Sequence, residues 1–135
     1  MTIERYEDIG FGDELPEFHP DIAMPTVVRF TEATGMRFGR FTDHEEARKS
    51  GLPGAIVPGI MSQGILAAMI HRWAPTATIL KIDTIFRAPL VVDSRPLGRG
   101  VVTDMDDETR IVEIDLTLTN EAGETRVLGT ATVKL

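Results

Sequence analysis

An α+β fold, a curved antiparallel sheet wrapped around one long helix, is what this sequence predicts, on three observations. "GLPGAIVPGIMSQGILAAMIHRWAP" (residues 51 to 75) carries apolar side chains at nearly every angle of a helix. "RIVEIDLTLT" and "RVLGTATVKL" alternate apolar and polar residues with the period of half-buried strands. A helix that is apolar almost all round must be enclosed by protein, and in a chain of 135 residues only a wrapped sheet has the material to do it.

The elements follow in order. "FGDELPEF" (11 to 18) reads as a turn and then a strand. A short helix follows, with Pro25 suited to its first turn, Val27, Phe30 and Thr34 on one side, and Gly35 to end it. A second short helix is expected over residues 43 to 50. There Thr42 with Glu45, or Asp43 with Glu46, has capping-box spacing, and Gly51 supplies the stop. The long helix enters at Pro58–Gly59 and leaves at Pro75, with Ile60, Met61, Ile65, Leu66, Met69, Ile70 and Trp73 along it. "TATILKIDTIFRAPL" is β-branched and stops at Pro89. Three long strands in an antiparallel meander complete the layout, with a polar turn at residues 104 to 109 and another at "NEAGE".

Length and composition fit one domain, residues 1 to 135, with a single core. With 14 basic and 21 acidic side chains, a net charge of -7 and no Lys/Arg cluster, neither a nucleic acid nor an anionic membrane is an expected partner. The acidic N-terminus lacks an apolar leader, no apolar run is long enough to span a bilayer, and cysteine is absent, so a cytoplasmic location is expected. Missing thiols and three scattered histidines argue against a metal, and the glycines form no nucleotide-binding pattern, so no cofactor is expected.

Several stretches carry a resemblance. "YEDIGFGDELPEF", "VVRFTEATG", "FTDHEEARKSGLPGAIVPGIMSQGILAAM" and "FRAPLVVDS" together resemble the MaoC-like branch of the hotdog superfamily, which includes (R)-specific enoyl-CoA hydratases and 3-hydroxyacyl-thioester dehydratases. The similarity runs over nearly the whole chain and implies a hotdog fold, lyase chemistry on acyl thioesters in lipid metabolism, and no cofactor. The family's catalytic signature is Gly-Asp-x-Asn-Pro-x-His-x-Asp, then Ala and Gly at four-residue steps. Gly35, Asp43, Ala47 and Gly51 keep that frame, but the Asp falls on Met36, the Asn on Phe38, the Pro on Gly39 and the His on Phe41. The His-Gly-Met that opens the family's central helix becomes Pro58-Gly59-Ile60. "GLPGAIVPG" is also faintly similar to a second dehydratase type of the superfamily, whose His and Glu would fall near Gly51 and Gly64, so that mechanism is absent as well.

The substitutions matter chemically. Hydration of an enoyl thioester needs a base for water and an acid for carbon, together about 10²- to 10⁴-fold in rate. A thioether and two phenyl rings carry no transferable proton. What can survive is the backbone: the resemblance implies that amides at the start of the central helix, those of Gly59 and Ile60, bind the thioester carbonyl, with Ser62 adding a hydroxyl. Against this, Gly59 can be merely a tight entry and Ser62 a capping group. Asp43 and His44 are weak substitutes for the lost pair, because neighbours on a helix do not face one substrate. Asp43 reads instead as an acid at a helix N-terminus. His19 and His71 read as structural, and Glu32 and Glu46 as solvated helix faces.

The expectation is therefore an acyl-thioester-binding chain, on CoA or acyl carrier protein, that serves as the catalytically degenerate subunit of a heteromeric hydratase or dehydratase. Met36, Phe38 and Phe41, with Pro58, Gly59, Ile60 and Ser62, would line a cavity for a long or bulky acyl group, or the three apolar residues would have closed the pocket. The alternatives are a stand-alone hydratase or acyl-CoA thioesterase with rearranged residues, and a non-catalytic binder of apolar ligands. A homodimer, or a heteromer with a catalytically intact hotdog chain, is expected, since the strand at "TATILKIDTIF" would otherwise leave an open edge.

Overall fold

The computed structural model describes residues 2–135. A 3₁₀ turn at Tyr6–Asp8 precedes four α-helices, α1 (Met24–Thr34), α2 (Gly39–Thr42), α3 (His44–Lys49) and α4 (Gly59–Trp73). Four strands follow, β1 (Thr78–Phe86), β2 (Leu97–Asp106), β3 (Ile111–Thr119) and β4 (Thr125–Lys134). They form one antiparallel sheet in the order β1-β4-β3-β2. The meander covers β2 to β4, and β1 joins it on the far side of β4, so β1 is an edge.

Alternation does what the sequence demands. Val112, Ile114, Leu116 and Leu118 of β3 and Val127, Ala131 and Val133 of β4 are all buried on the face that meets Met61, Leu66, Met69, Ile70 and Trp73 of α4. Gly129 lets the helix in close: a Cβ there would stand 2.9 Å from Leu66 Cδ1. On the other face Glu113, Asp115, Thr130 and Asp83 point to solvent.

Three expectations need correction. Residues 11 to 18 do not form a strand of their own; Glu14 and Phe18 make two isolated bridges to β2, because Pro16 has no N–H to continue a ladder. The β2–β3 turn falls at residues 107 to 110, since Asp106 Oδ1 accepts the Glu108 N–H at 2.9 Å and Arg110 takes a left-handed φ of 61°. Residues 104 to 106 stay in β2. The third concerns α4, which is not covered on every side: Ile60 is 55% exposed, and Gly64 and Ala68 are open on the same stripe. Beside this stripe, edge strand β1 exposes Leu80, Ile85 and Phe86.

The two early helices lie where the capping residues put them. Pro25 sits in the first turn of α1, and Gly35 ends the helix at φ 75°. Asp43 caps α3 by accepting the Glu45 and Glu46 amides. The turn of helix α2 between them had no sequence expectation: four residues are too few for a periodic signal.

Candidate functional site

The wall of the site is a short β-like crossing between the helical segment and the β1–β2 loop. Val57 N–H donates to the Leu90 carbonyl at 2.8 Å, and Val92 N–H to the Ala55 carbonyl at 2.8 Å. This crossing delivers the chain to Pro58, the N-cap of α4. Pro58 has no amide and its side chain caps nothing. The first intrahelical bond is from Ser62 N–H to the Pro58 carbonyl at 3.1 Å, which leaves the amides of Gly59, Ile60 and Met61 with no helical partner.

A cleft of about 400 Å³ opens at this helix end, lined by Ile56, Gly59, Ser62, Phe86, Arg87 and Pro89 among others. Ser62 is 2% exposed, yet its hydroxyl has no protein partner among the described residues and is not sealed in. It therefore reaches the cleft. Phe86 stands against the entry, its ring 3.2 Å from where a Gly59 Cβ would lie. A cleft of about 320 Å³ beside Asp93 includes Ala23, the N-cap of α1, but the Met24 amide there is already taken by Asp93 Oδ1; one of about 390 Å³ between Pro89 and Asn120 holds no helix N-terminus. Free amides, a positive helix end and one hydroxyl in a mostly apolar setting suit a carbonyl oxygen that gains negative charge.

Met36, Phe38 and Phe41 lie together around α2 and are not among the residues that line this cleft. Phe41 is buried and Phe38 is 51% exposed; their rings meet edge-on with centroids 6.1 Å apart. Met36 is half-buried. Beside both rings lies a residue that the sequence did not single out. The Arg40 guanidinium sits 5.0 Å from the Phe38 centroid and 4.7 Å from that of Phe41. The Arg40 carbonyl accepts the Ile56 N–H at 2.9 Å, which ties α2 to the cleft wall.

Asp43 and His44 face different tasks. The Asp43 carboxylate is occupied by the first turn of α3. His44 reaches instead to Asp93, 49 residues away, with Nε2 2.8 Å from Asp93 Oδ2. Its Nδ1 accepts the Ala55 N–H at 3.0 Å, so in the neutral ring the proton is on Nε2 and is donated to Asp93. Asp93 Oδ1 accepts the Met24 N–H at 2.7 Å, and the residue holds a left-handed φ of 71°. The pair thus stitches α1, α3 and the cleft wall together. His71 bonds the Ala77 carbonyl at the far end of α4.

This stitch has a pH consequence. The His44 bond, then the Met24 amide, holds the Asp93 carboxyl below the usual carboxylate range. A lowered folded-state pKa adds stability above the unfolded value of about 4, and that stability is lost as pH falls through the folded value. Asp93→Asn, which tolerates the same backbone conformation, is expected to lower stability near pH 6 by about 1 kcal/mol or less. It is also expected to flatten the decline of stability below pH 4; chemical denaturation from pH 3 to 7 measures both.

Neither a family profile nor a curated protein matches this sequence. Solved structures do match. An (R)-hydratase from A. caviae involved in PHA biosynthesis superposes with a TM-score of 0.89 at 17% identity, covering 96% of this chain and 98% of that one. A MaoC-like dehydratase gives 0.89 at 23% identity, over 98% of this chain and 42% of the other. The chain has the hotdog fold. A third hotdog match, the ChsH1-ChsH2 complex from Mycobacterium tuberculosis, gives 0.85 at 20% identity over 93% of this chain and 98% of that one. Within the hotdog, α4 is the central helix, open along Ile60, Gly64 and Ala68, and β1 to β4 are the sheet it packs on.

Sequence reasoning missed Arg40, Phe86 and Asp93. A basic residue between two phenylalanines at i and i+3 was a visible signal for the first. Phe86 and Asp93 meet Gly59 and His44 only through long-range folding, and nothing local marks them. Among the described residues no group of three or more His, Asp or Glu could hold a metal, and no helix is long and apolar enough to cross a membrane.

Proposed function

We propose that this hotdog chain is the acyl-thioester-binding, catalytically degenerate subunit of a heteromeric (R)-specific enoyl-CoA hydratase or 3-hydroxyacyl-thioester dehydratase. One observation carries the reading. The Gly59 and Ile60 amides and the Ser62 hydroxyl remain free at the mouth of the cleft, while Met36, Phe38 and Phe41 offer no proton to move. Such a chain can hold a thioester carbonyl and polarise it; water activation and protonation of carbon must come from elsewhere. The open stripe of Ile60, Gly64 and Ala68 beside the unpaired edge of β1 gives a second hotdog chain a place to pack and a strand to extend. Phe38, half exposed, would then border the shared site.

The test mixes the purified chain with a hotdog chain that carries the intact Gly-Asp-x-Asn-Pro-x-His motif, and follows hydration of crotonyl-CoA and longer enoyl thioesters. One stable complex is expected, with turnover at least about 10²-fold above that of this chain alone. A chain that stays homodimeric and indifferent to that partner contradicts the heteromer. Turnover by the isolated chain would instead favour rearranged chemistry, as a hydratase or a thioesterase. Binding of acyl groups without turnover in any mixture would favour a binding protein.

A further inference from the structure

Four clefts elsewhere on the surface are each lined by at least one carboxylate, among them Asp93, Glu121, Glu17 and Asp83. The cleft at the start of α4 is lined by none among the described residues, in a chain with 21 acidic side chains and a net charge of -7. Its one charged lining residue is Arg87, which has no carboxylate partner among the described residues. The backbone there is held in place: the Arg87 and Ala88 N–H groups both donate to the Arg126 carbonyl, at 2.9 Å and 3.3 Å. An anion meets like charge at the other four clefts and opposite charge at this one.

The donors at this cleft also outnumber what one carbonyl oxygen can accept. The Gly59 and Ile60 N–H groups have no helical partner, and Ser62, 2% exposed, turns an unpartnered hydroxyl into the cleft. A carbonyl oxygen has two lone pairs, whereas a carboxylate offers about four acceptor sites on two oxygens. Negative charge is also what the positive end of a 15-residue helix favours. Below these donors Val57, Leu90 and Val127, each at most 5% exposed, give the cleft an aliphatic floor. Donors for an anion above an apolar floor, within about 400 Å³, match a small amphipathic acid.

We infer that this cleft also binds the free, unesterified carboxylate of an aliphatic acid, in competition with the thioester. The carboxylate takes the Gly59 and Ile60 amides and the Ser62 hydroxyl. Arg87 supplies the opposite charge, and the hydrocarbon covers Val57, Leu90 and Val127. This goes beyond the function proposed above, in which the same amides take a neutral carbonyl. A free acid thereby acts as an inhibitor of thioester binding, and no bond is made or broken.

Calorimetric titration at pH 7, where a simple carboxylic acid is ionised, compares butyrate, hexanoate and octanoate with the primary amides of the same lengths. The amide keeps the carbonyl and loses the charge. At the best length the carboxylate is expected to bind about ten-fold tighter than the amide and to displace a saturated acyl-CoA. Ser62→Ala and Arg87→Met are each expected to bring that ratio to within about three-fold. The wild-type comparison stands even if either variant folds poorly. Equal or tighter binding of the amide overturns the inference and leaves the proposed function standing. An acid that binds without displacing acyl-CoA also overturns it, by placing the acid elsewhere. So does an unchanged ratio in both variants when thermal unfolding shows them folded. Coenzyme A alone is a further arm: if it displaces the acid as well as acyl-CoA does, the donors serve a carrier phosphate and the inference fails. Binding of the acid with no binding of acyl-CoA supports the inference and overturns the proposed function. No binding of either overturns both.

Discussion

Leu66→Ala is expected to destabilise the chain by about 2–5 kcal/mol, the largest effect of any single truncation considered. Leu66 is fully buried in the middle of α4 and lies over Gly129, where a Cβ would stand only 2.9 Å from its Cδ1. β4 has no side chain at that point to move into the space, and the flanking Leu116 and Ile114 are fixed by a central strand. The cavity would therefore persist, and persistence is what raises the cost above simple transfer. For a domain of this size the loss corresponds to a fall in Tm of about 6–20 °C. Thermal unfolding measures it. A shift under about 3 °C would mean that the sheet closes onto α4 and that Gly129 is not the constraint described.

Gly59→Val is expected to weaken acyl-thioester binding by about ten-fold or more while leaving the fold intact. Its effect comes from place. A Cβ at Gly59 would stand 3.2 Å and 3.3 Å from the Phe86 ring, and a branched side chain would fill the approach to the Gly59 and Ile60 amides. Phe86 is 52% exposed on an edge strand, so it can swing aside at little cost to stability. Binding and stability should therefore separate in this variant, whereas in Leu66→Ala they fall together. Calorimetry with a saturated acyl-CoA, alongside thermal unfolding, checks both. Unchanged affinity would remove the helix N-terminus from the site.

The parts of the fold that could be read early were those where a local pattern has one physical solution. Val112 to Leu118 and Val127 to Val133 alternate cleanly, and both strands bury the expected face. Pro25, Gly35 and the Asp43 cap bound their helices because each answers a backbone need within four residues. What failed was whatever depended on distant partners. Nothing in "TATILKIDTIF" says that β1 pairs with β4, and an apolar helix does not announce which side is left for another chain. Pro16 reduced residues 11 to 18 to isolated bridges because a missing donor outweighed the strand-like pattern.

The site was legible in a different way. Met36, Phe38 and Phe41 stood out only against the resemblance, since hydrophobic residues by themselves mark no site. Gly59 and Ser62 were likewise pointed to by the resemblance, with helix-end chemistry as its physical warrant. Neither route reached Arg40, whose meaning comes from two rings that α2 brings together, nor Asp93, which meets His44 across 49 residues. Asp43 and His44 adjoin in sequence but serve different neighbours, so adjacency was a poor guide to shared chemistry.

The central claim is that this hotdog kept its carbonyl grip and lost its proton chemistry. Hydration of crotonyl-CoA by the isolated chain, measured on the same preparation that binds a saturated acyl-CoA, tests it most directly. The account predicts clear binding with turnover at least about 10²-fold below that of the mixture with an intact hotdog chain. Turnover by the isolated chain at the mixture's rate would contradict it.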